Sequence, residues 1–234
     1  EPTLFETSSN GLASGNHILE AELHALYELI ERDAISNIFK NGTLRIHDHC
    51  LVIDNQSLEE SSLKEVVQKI ERAGNKLVLM RVDYPMEVHT FWSFIVNLSG
   101  FSSVSTLNFG YGTHIDPVVA ACRAVTEAAQ SRLTFIHGCR EDIGGKRVFG
   151  SQDVENSPAF RLFRTLSPNS RWEDLPHFDL KPFSNISKTR NFVLKQILDT
   201  GKGPVFRFDL QRPEVRIPVV RLIAPLLKVN PKLF

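Results

Sequence analysis

Two stretches of the chain separate apolar from charged positions with a helical period. At about 100° per residue, Leu19, Leu23, Leu26 and Ile30 of the stretch 15–33 fall on one stripe, and Glu20, His24, Glu28 and Glu31 on another. In the stretch 117–136, Val118, Cys122, Val125, Ala129 and Leu133 oppose a face that carries Arg123, Glu127 and Gln130. Each helix therefore has one side fit for a core and one that presents charge. Carboxylates stacked on a helix face repel unless a cation or guanidinium sits among them, which suggests a divalent metal. A solvated charge stripe is the competing reading, and periodicity alone leaves both open.

The remaining pattern alternates helix and strand. The spacing predicts a strand over 43–53, through Leu44, Ile46, Leu51 and Ile53. An amphipathic helix over 62–73 follows, through Leu63, Val66, Val67 and Ile70, closed by Gly74-Asn75. Strands are predicted over 77–82 and 91–98, and 106–109 leads into a glycine loop, Gly110-Tyr111-Gly112. Pro117 suits a helix start. A helix over 187–199 and strands over 204–210 and 217–223 complete the chain. This alternation argues for an α/β fold with α+β character, its mixed sheets packed with helices. The stretch 140–188 is rich in Pro, Ser, Asn, Asp and Arg, with one short helix near 160–166. So long an irregular segment reads as a lid or binding loop, or as disorder. Its Arg161, Arg164 and Arg171 are either phosphate or peptide contacts or simply solvated.

Composition narrows the class. The chain has 234 residues, enough to bury a real core. Its 27 basic and 27 acidic side chains balance, so nothing points to nucleic acid or an anionic membrane. No apolar run approaches the roughly 20 residues that span a bilayer, and the first residues do not read as a signal peptide. Cys50, Cys122 and Cys139 are odd in number and unpatterned, consistent with reduced thiols in the cytoplasm.

Other candidates weaken on inspection. His47-Asp48-His49-Cys50 lacks the three or four ligands at spacing that zinc requires, and a turn or strand end accounts for it. His114 and His137 are single histidines, open to acid–base or structural roles. Ser131 has no visible base partner, and no Gly-x-Ser-x-Gly elbow occurs, so a serine hydrolase is unsupported.

The loop that feeds the first helix, Ser8-Ser9-Asn10-Gly11-Leu12-Ala13-Ser14-Gly15-Asn16, can present backbone N–H groups to an anion, though it is neither a P-loop nor a dinucleotide fingerprint. With Glu20-Ala21 and Glu28-Leu29-Ile30-Glu31-Arg32-Asp33, this loop resembles the YcaO family of ATP-dependent peptide-modifying enzymes. Gly110-Tyr111-Gly112-Thr113-His114-Ile115-Asp116-Pro117, running into Arg123-Ala124-Val125-Thr126-Glu127-Ala128-Ala129-Gln130-Ser131-Arg132-Leu133, is similar to the same family. The two motifs stand in the family's order and spacing, and the resemblance covers nearly the whole chain.

That resemblance implies a YcaO-type fold. It also implies ATP and Mg²⁺ as cofactors and activation of a peptide backbone amide oxygen, with thioamides, azolines or amidines as products. It implies cofactor-binding roles for Asn16, Glu20, Arg32, Arg123 and Gln130, and metal-binding roles for Glu28, Glu31 and Glu127. No residue carries over as catalytic. The run 130–142 looks like members that work with a TfuA-type partner and form thioamides, and the C-terminal residues lack the Pro-x-Pro-x-Pro tail of many azoline-forming members. The implied partners are a peptide or protein substrate, a TfuA-like protein and a second copy in a homo-oligomer. Met occurs only at Met80 and Met86, and the family's N-terminal part, with its phosphate-contacting Lys, has no counterpart. The chain is therefore expected to be the C-terminal portion of a YcaO-like domain, with residues 1–234 holding part of an ATP site. A non-catalytic module that binds a peptide or partner on the same scaffold is the alternative.

Overall fold

The computed structural model describes residues 8–40, 43–58, 62–98, 107–137, 157–180, 183 and 185–230. Its elements run β1 (Leu12–Ser14), α1 (Ile18–Ile38), β2 (Phe39–Lys40), β3 (Thr43–Leu44), α2 (Ile46–His49), β4 (Cys50–Val52), α3 (Ser62–Arg72) and β5 (Asn75–Val82). After these come β6 (His89–Asn97), β7 (Leu107–His114), α4 (Pro117–His137), α5 (Pro158–Thr165), α6 (Ile186–Asp199), β8 (Phe206–Asp209) and β9 (Val219–Ile223). The chain divides into two compact units. Unit 1 comprises Glu1–Phe39, Pro85–Glu87 and Asp179–Phe234; unit 2 comprises Lys40–Tyr84 and Val88–Phe178. No helix among the described residues is long and apolar enough to cross a membrane.

Unit 1 packs α1 and α6 with an antiparallel sheet ordered β1-β9-β8. The His17 Nδ1 accepts the Leu19 N–H at the start of α1, and the helix then runs without Gly or Pro to Ile38. Its Ala21, Ala25, Leu26, Ile30 and Ile35 are buried, as are Val193 and Ile197 of α6 and Val220 and Leu222 of β9. Three carboxylates, Glu22, Glu31 and Asp33, go down with them. Asp33, wholly buried, accepts the Lys202 ammonium, the Lys228 N–H at 2.5 Å and the Asn37 Nδ2–H at 3.1 Å. Glu22 accepts the Arg190 Nε–H at 2.6 Å and pairs with Arg207 at 3.1 Å.

Unit 2 is built on an antiparallel meander, β4-β5-β6-β7. Leu77 and Leu79 of β5 and Phe91 and Ile95 of β6 share a core with Leu63 and Val67 of α3 and Ala120, Ala121, Ala124, Val125 and Ala128 of α4. The other face carries Trp92 and Phe94, and Phe163 of α5 stacks on Phe94 with ring centroids 3.6 Å apart. The Asp116 carboxylate accepts the Val118 N–H at 2.8 Å and so caps the start of α4, as Pro117 predicts. Gly74 closes α3 at φ 75°, a left-handed conformation that suits glycine.

Two predicted elements differ. The strand expected over 43–53 is β3 and β4 separated by the helical turn α2, in which Ile46 is buried and Arg45 pairs with Asp48. The expected glycine loop is the interior of β7, whose Gly110 and Gly112 pair with Ser93 and Phe91. Of the stretch read as irregular, 157–180 holds α5 and a 3-10 turn at Trp172–Asp174, and buries Phe160, Phe163, Leu166 and Leu175. Residues 138–156, 181, 182 and 184 lie outside the described residues.

Candidate functional site

In unit 2, β7 and α4 flank an open cleft of about 310 Å³, lined by Tyr111, Arg123, Thr126, Glu127 and Gln130. Arg123, Glu127 and Gln130 share a face because they stand at i, i+4 and i+7 on α4. The Tyr111 N–H donates to Glu127 Oε2 at 3.1 Å, which ties the carboxylate to the strand. Thr126 Oγ1 donates back to the Cys122 carbonyl at 2.8 Å. His114 Nδ1 accepts the Asp116 N–H at 3.0 Å. Burial lowers the His114 pKa; Asp116 opposes the shift and the Arg123 guanidinium adds to it. The cleft thus gathers a guanidinium, a carboxylate, an amide and a hydroxyl.

In unit 1, the loop ahead of α1 is tied to the helix it feeds. The Gly11 N–H donates to Glu28 Oε2 at 3.0 Å, and Arg32 pairs with Glu28 Oε1 at 3.5 Å. Asn16 donates to Glu20 Oε2 twice, from its backbone N–H at 2.8 Å and from Nδ2 at 3.2 Å. Glu31 lies deeper than Glu28, only 6% exposed. Of the residues carried over by resemblance, Asn16 and Glu20 are therefore joined, as are Glu28 and Arg32. Arg123, Glu127 and Gln130 line one cleft, in the other unit.

The sequence reading passed over two lining residues, Tyr111 and Thr126. Tyr111 was signalled only by its place between two glycines, and Thr126 only by its position one turn past Arg123. It also passed over Glu22, whose two guanidinium partners lie far along the chain.

The weaker candidates find ordinary surroundings. His47 and His49 belong to the turn α2. Burial, with the nearby Asp83 carboxylate, pushes the Cys50 thiol up to about 12, which disfavours the thiolate a metal would need. Among the described residues, no three or more His, Cys, Asp and Glu side chains are grouped to hold a metal ion. Arg171 pairs with Glu173 at 2.5 Å on the surface, and Arg164 lies 6.0 Å over the Phe160 ring.

Comparisons with known proteins agree on the family. The family model described as YcaO cyclodehydratase, ATP- and Mg²⁺-binding, matches residues 1–228. An uncharacterised protein of Methanothermobacter thermautotrophicus is 33% identical over 235 residues, covering 97% of this chain and 57% of that protein. An uncharacterised protein in the tfuA 3′ region of Rhizobium leguminosarum bv. trifolii is 34% identical over 240 residues, covering 98% of this chain and 54% of that protein. The chain thus spans about half the length of these relatives.

Among solved structures, the fold matches YcaO from Methanopyrus kandleri bound with AMPPCP and Mg²⁺. The TM-score is 0.73 at 20% identity, over 95% of this chain and 57% of that one. A heterocyclase in complex with substrate and cofactor matches with a TM-score of 0.71 at 20% identity, over 95% of this chain and 28% of that one. With a matching family model over nearly its whole length, and with the fold of solved YcaO proteins, this chain belongs to the YcaO family, whose members are described as binding ATP and Mg²⁺.

Proposed function

We propose that the protein uses ATP and Mg²⁺ to activate a backbone amide of a ribosomally made peptide or protein by O-phosphorylation, leading to a thioamide or an azoline. The observation that carries this reading is the cleft beside β7, where Arg123, Thr126, Glu127 and Gln130 meet. These residues fit the cofactor. A planar guanidinium suits phosphate oxygens. Mg²⁺ keeps several waters and binds through one or two carboxylates plus phosphate oxygens, so it does not require a cluster of three protein ligands.

When bound, Mg²⁺–ATP supplies the phosphoryl group. The protein's part is positioning and charge. Arg123 would neutralise phosphate, Gln130 would orient it, and Glu127, fastened by the Tyr111 amide, would offer a carboxylate to the metal. In unit 1, the family resemblance assigns nucleotide contacts to Asn16, Glu20 and Arg32 and metal contacts to Glu28 and Glu31. Glu28 is already fixed by the Gly11 amide and Arg32.

The two products draw on different support. The run 130–142 and the relative named for the tfuA 3′ region favour a thioamide made with a TfuA-like partner. The fold shared with a heterocyclase favours an azoline. A cytoplasmic homo-oligomer acting on a peptide is part of the same reading.

The test is calorimetric titration of Mg²⁺–ATP into the protein at its full length, with Arg123→Ala and Glu28→Gln beside it. Arg123→Ala should weaken binding about tenfold or more, and Glu28→Gln should abolish peptide-dependent ATP turnover without unfolding the protein. Mass spectrometry of the peptide then separates the products, since an azoline loses water and a thioamide exchanges oxygen for sulfur. A folded protein that binds no nucleotide would sink the enzyme reading and leave a peptide- or partner-binding module.

A further inference from the structure

Gly110 and Gly112 lie on the face of β7 turned toward α4, and neither position has room for a side chain. A Cβ on Gly110 would stand 2.3 Å from the Ala128 amide nitrogen and 2.4 Å from the Ala124 carbonyl oxygen. A Cβ on Gly112 would stand 2.1 Å from the Ala120 carbonyl oxygen and 2.6 Å from the Ala124 nitrogen. These are backbone atoms, so no rotamer change relieves the contact. From its side α4 offers Ala120, Ala124 and Ala128, each wholly buried. Helix backbone therefore rests on strand backbone over two turns.

Tyr111, between the two glycines, turns its N–H to Glu127 Oε2 at 3.1 Å. That bond depends on the height of α4 above the sheet. A helix lifted by about 1 Å would stretch it beyond hydrogen-bonding range. Glu127 would then lose the amide that orients it at the wall of the cleft.

We propose that Gly110 is a positioning residue for the cleft: by admitting α4 to backbone contact, it sets the height at which the Tyr111 amide holds Glu127 on the cleft wall beside Arg123 and Gln130. This rests on the nucleotide reading of the cleft. A hydrogen bond from an amide to a carboxylate is charge-assisted and directional. It pre-orders a carboxylate that would otherwise have to be ordered when the cofactor binds.

The test uses the full-length protein and two readouts, exchange protection of the Tyr111 amide and calorimetric affinity for Mg²⁺–AMPPCP. Gly110→Ala should lose the protection and bind about tenfold to a hundredfold more weakly. Val67→Ala, in the same core but on α3, serves as the destabilised control and should change neither readout. Glu127→Asp withdraws the carboxylate from the amide without adding bulk, and covers the case in which Gly110→Ala does not fold. It should lose protection and affinity together. Glu127→Gln keeps an acceptor oxygen and should retain the protection while weakening the nucleotide.

The proposal is overturned if Gly110→Ala or Glu127→Asp keeps wild-type affinity, or if Val67→Ala loses as much affinity as Gly110→Ala. A wild-type protein that binds no nucleotide would overturn the reading of the cleft, while the Tyr111 amide still reports whether Gly110 sets the height of α4.

Discussion

In unit 1, α1 is fastened by charge. Asp33 sits wholly buried against the Lys202 ammonium, and Glu22 against Arg190 and Arg207. In unit 2, α4 is fastened by the absence of side chains, with Gly110 and Gly112 under Ala120, Ala124 and Ala128. One buried titratable group of unit 2 has no such partner. His89 is fully buried, and neither ring nitrogen meets a hydrogen-bond partner among the described residues. Two helices with similar charge stripes are thus anchored by different physics. Ionic pins fix a helix by direction and charge; close backbone contact fixes it by distance. Glu127, tied to the Tyr111 amide, sits on the second kind.

Breaking a pin should give the largest effect. Asp33→Ala removes the acceptor for Lys202, for the Lys228 N–H and for Asn37 at once. A loss of about 3 to 5 kcal/mol is expected in denaturant unfolding, and the cleft in the other unit should keep its lining. A loss below about 1 kcal/mol would mean that the pin is ornamental.

The uncompensated group in unit 2 should answer to acid. The His89 pKa is lowered from 6.5 to about 4, first by burial and then by the Arg81 guanidinium; His177 and His114 add to the shift and Asp116 opposes it. Unfolding then takes up a proton below pH 6.5. Its contribution to stability is full above pH 6.5 and is lost progressively toward pH 4, by about 3 kcal/mol in all. His89→Phe, placed beside the Phe91 and Phe178 rings, should flatten that part of the pH–stability curve relative to wild type. Parallel curves would show that the imidazole is solvated or already charged.

The same contrast governs what could be read from the sequence. α1 and α4 were legible as helices because their period is local and Pro117 marks a start. The core face of α4, however, is Ala120, Ala121, Ala124, Val125 and Ala128, while Ala129 and Leu133 of the expected apolar face are exposed. The pairs Asn16–Glu20 and Glu28–Arg32 are four residues apart, within reach of spacing arguments. The pins were not legible: Glu22 meets Arg190 across 168 residues, and Asp33 meets Lys202 across 169 and the Lys228 amide across 195. Gly110 and Gly112 were misplaced for a physical reason. Glycine weakens a strand in isolation and so reads as a loop, but here it marks where another backbone approaches closely. The turn α2 hid in the run 43–53 because Leu44 and Ile46, and Leu51 and Ile53, each stand two residues apart; the odd step from Ile46 to Leu51 that breaks the phase is where the turn lies.

The smallest effect sharpens the contrast most. Ser93 lies opposite Gly110 in the ladder and donates its hydroxyl to the Ala124 carbonyl at 2.8 Å. That carbonyl lies inside α4, where a helical N–H also reaches it. Ser93→Ala therefore leaves no acceptor stranded and should cost only about 0.5 to 1 kcal/mol in denaturant unfolding. The Tyr111 amide should keep its exchange protection, because the glycines and not the hydroxyl set the height of α4. A cost above about 2 kcal/mol, with protection lost, would transfer that role to Ser93 and make α4 a helix pinned by polar contact, like α1.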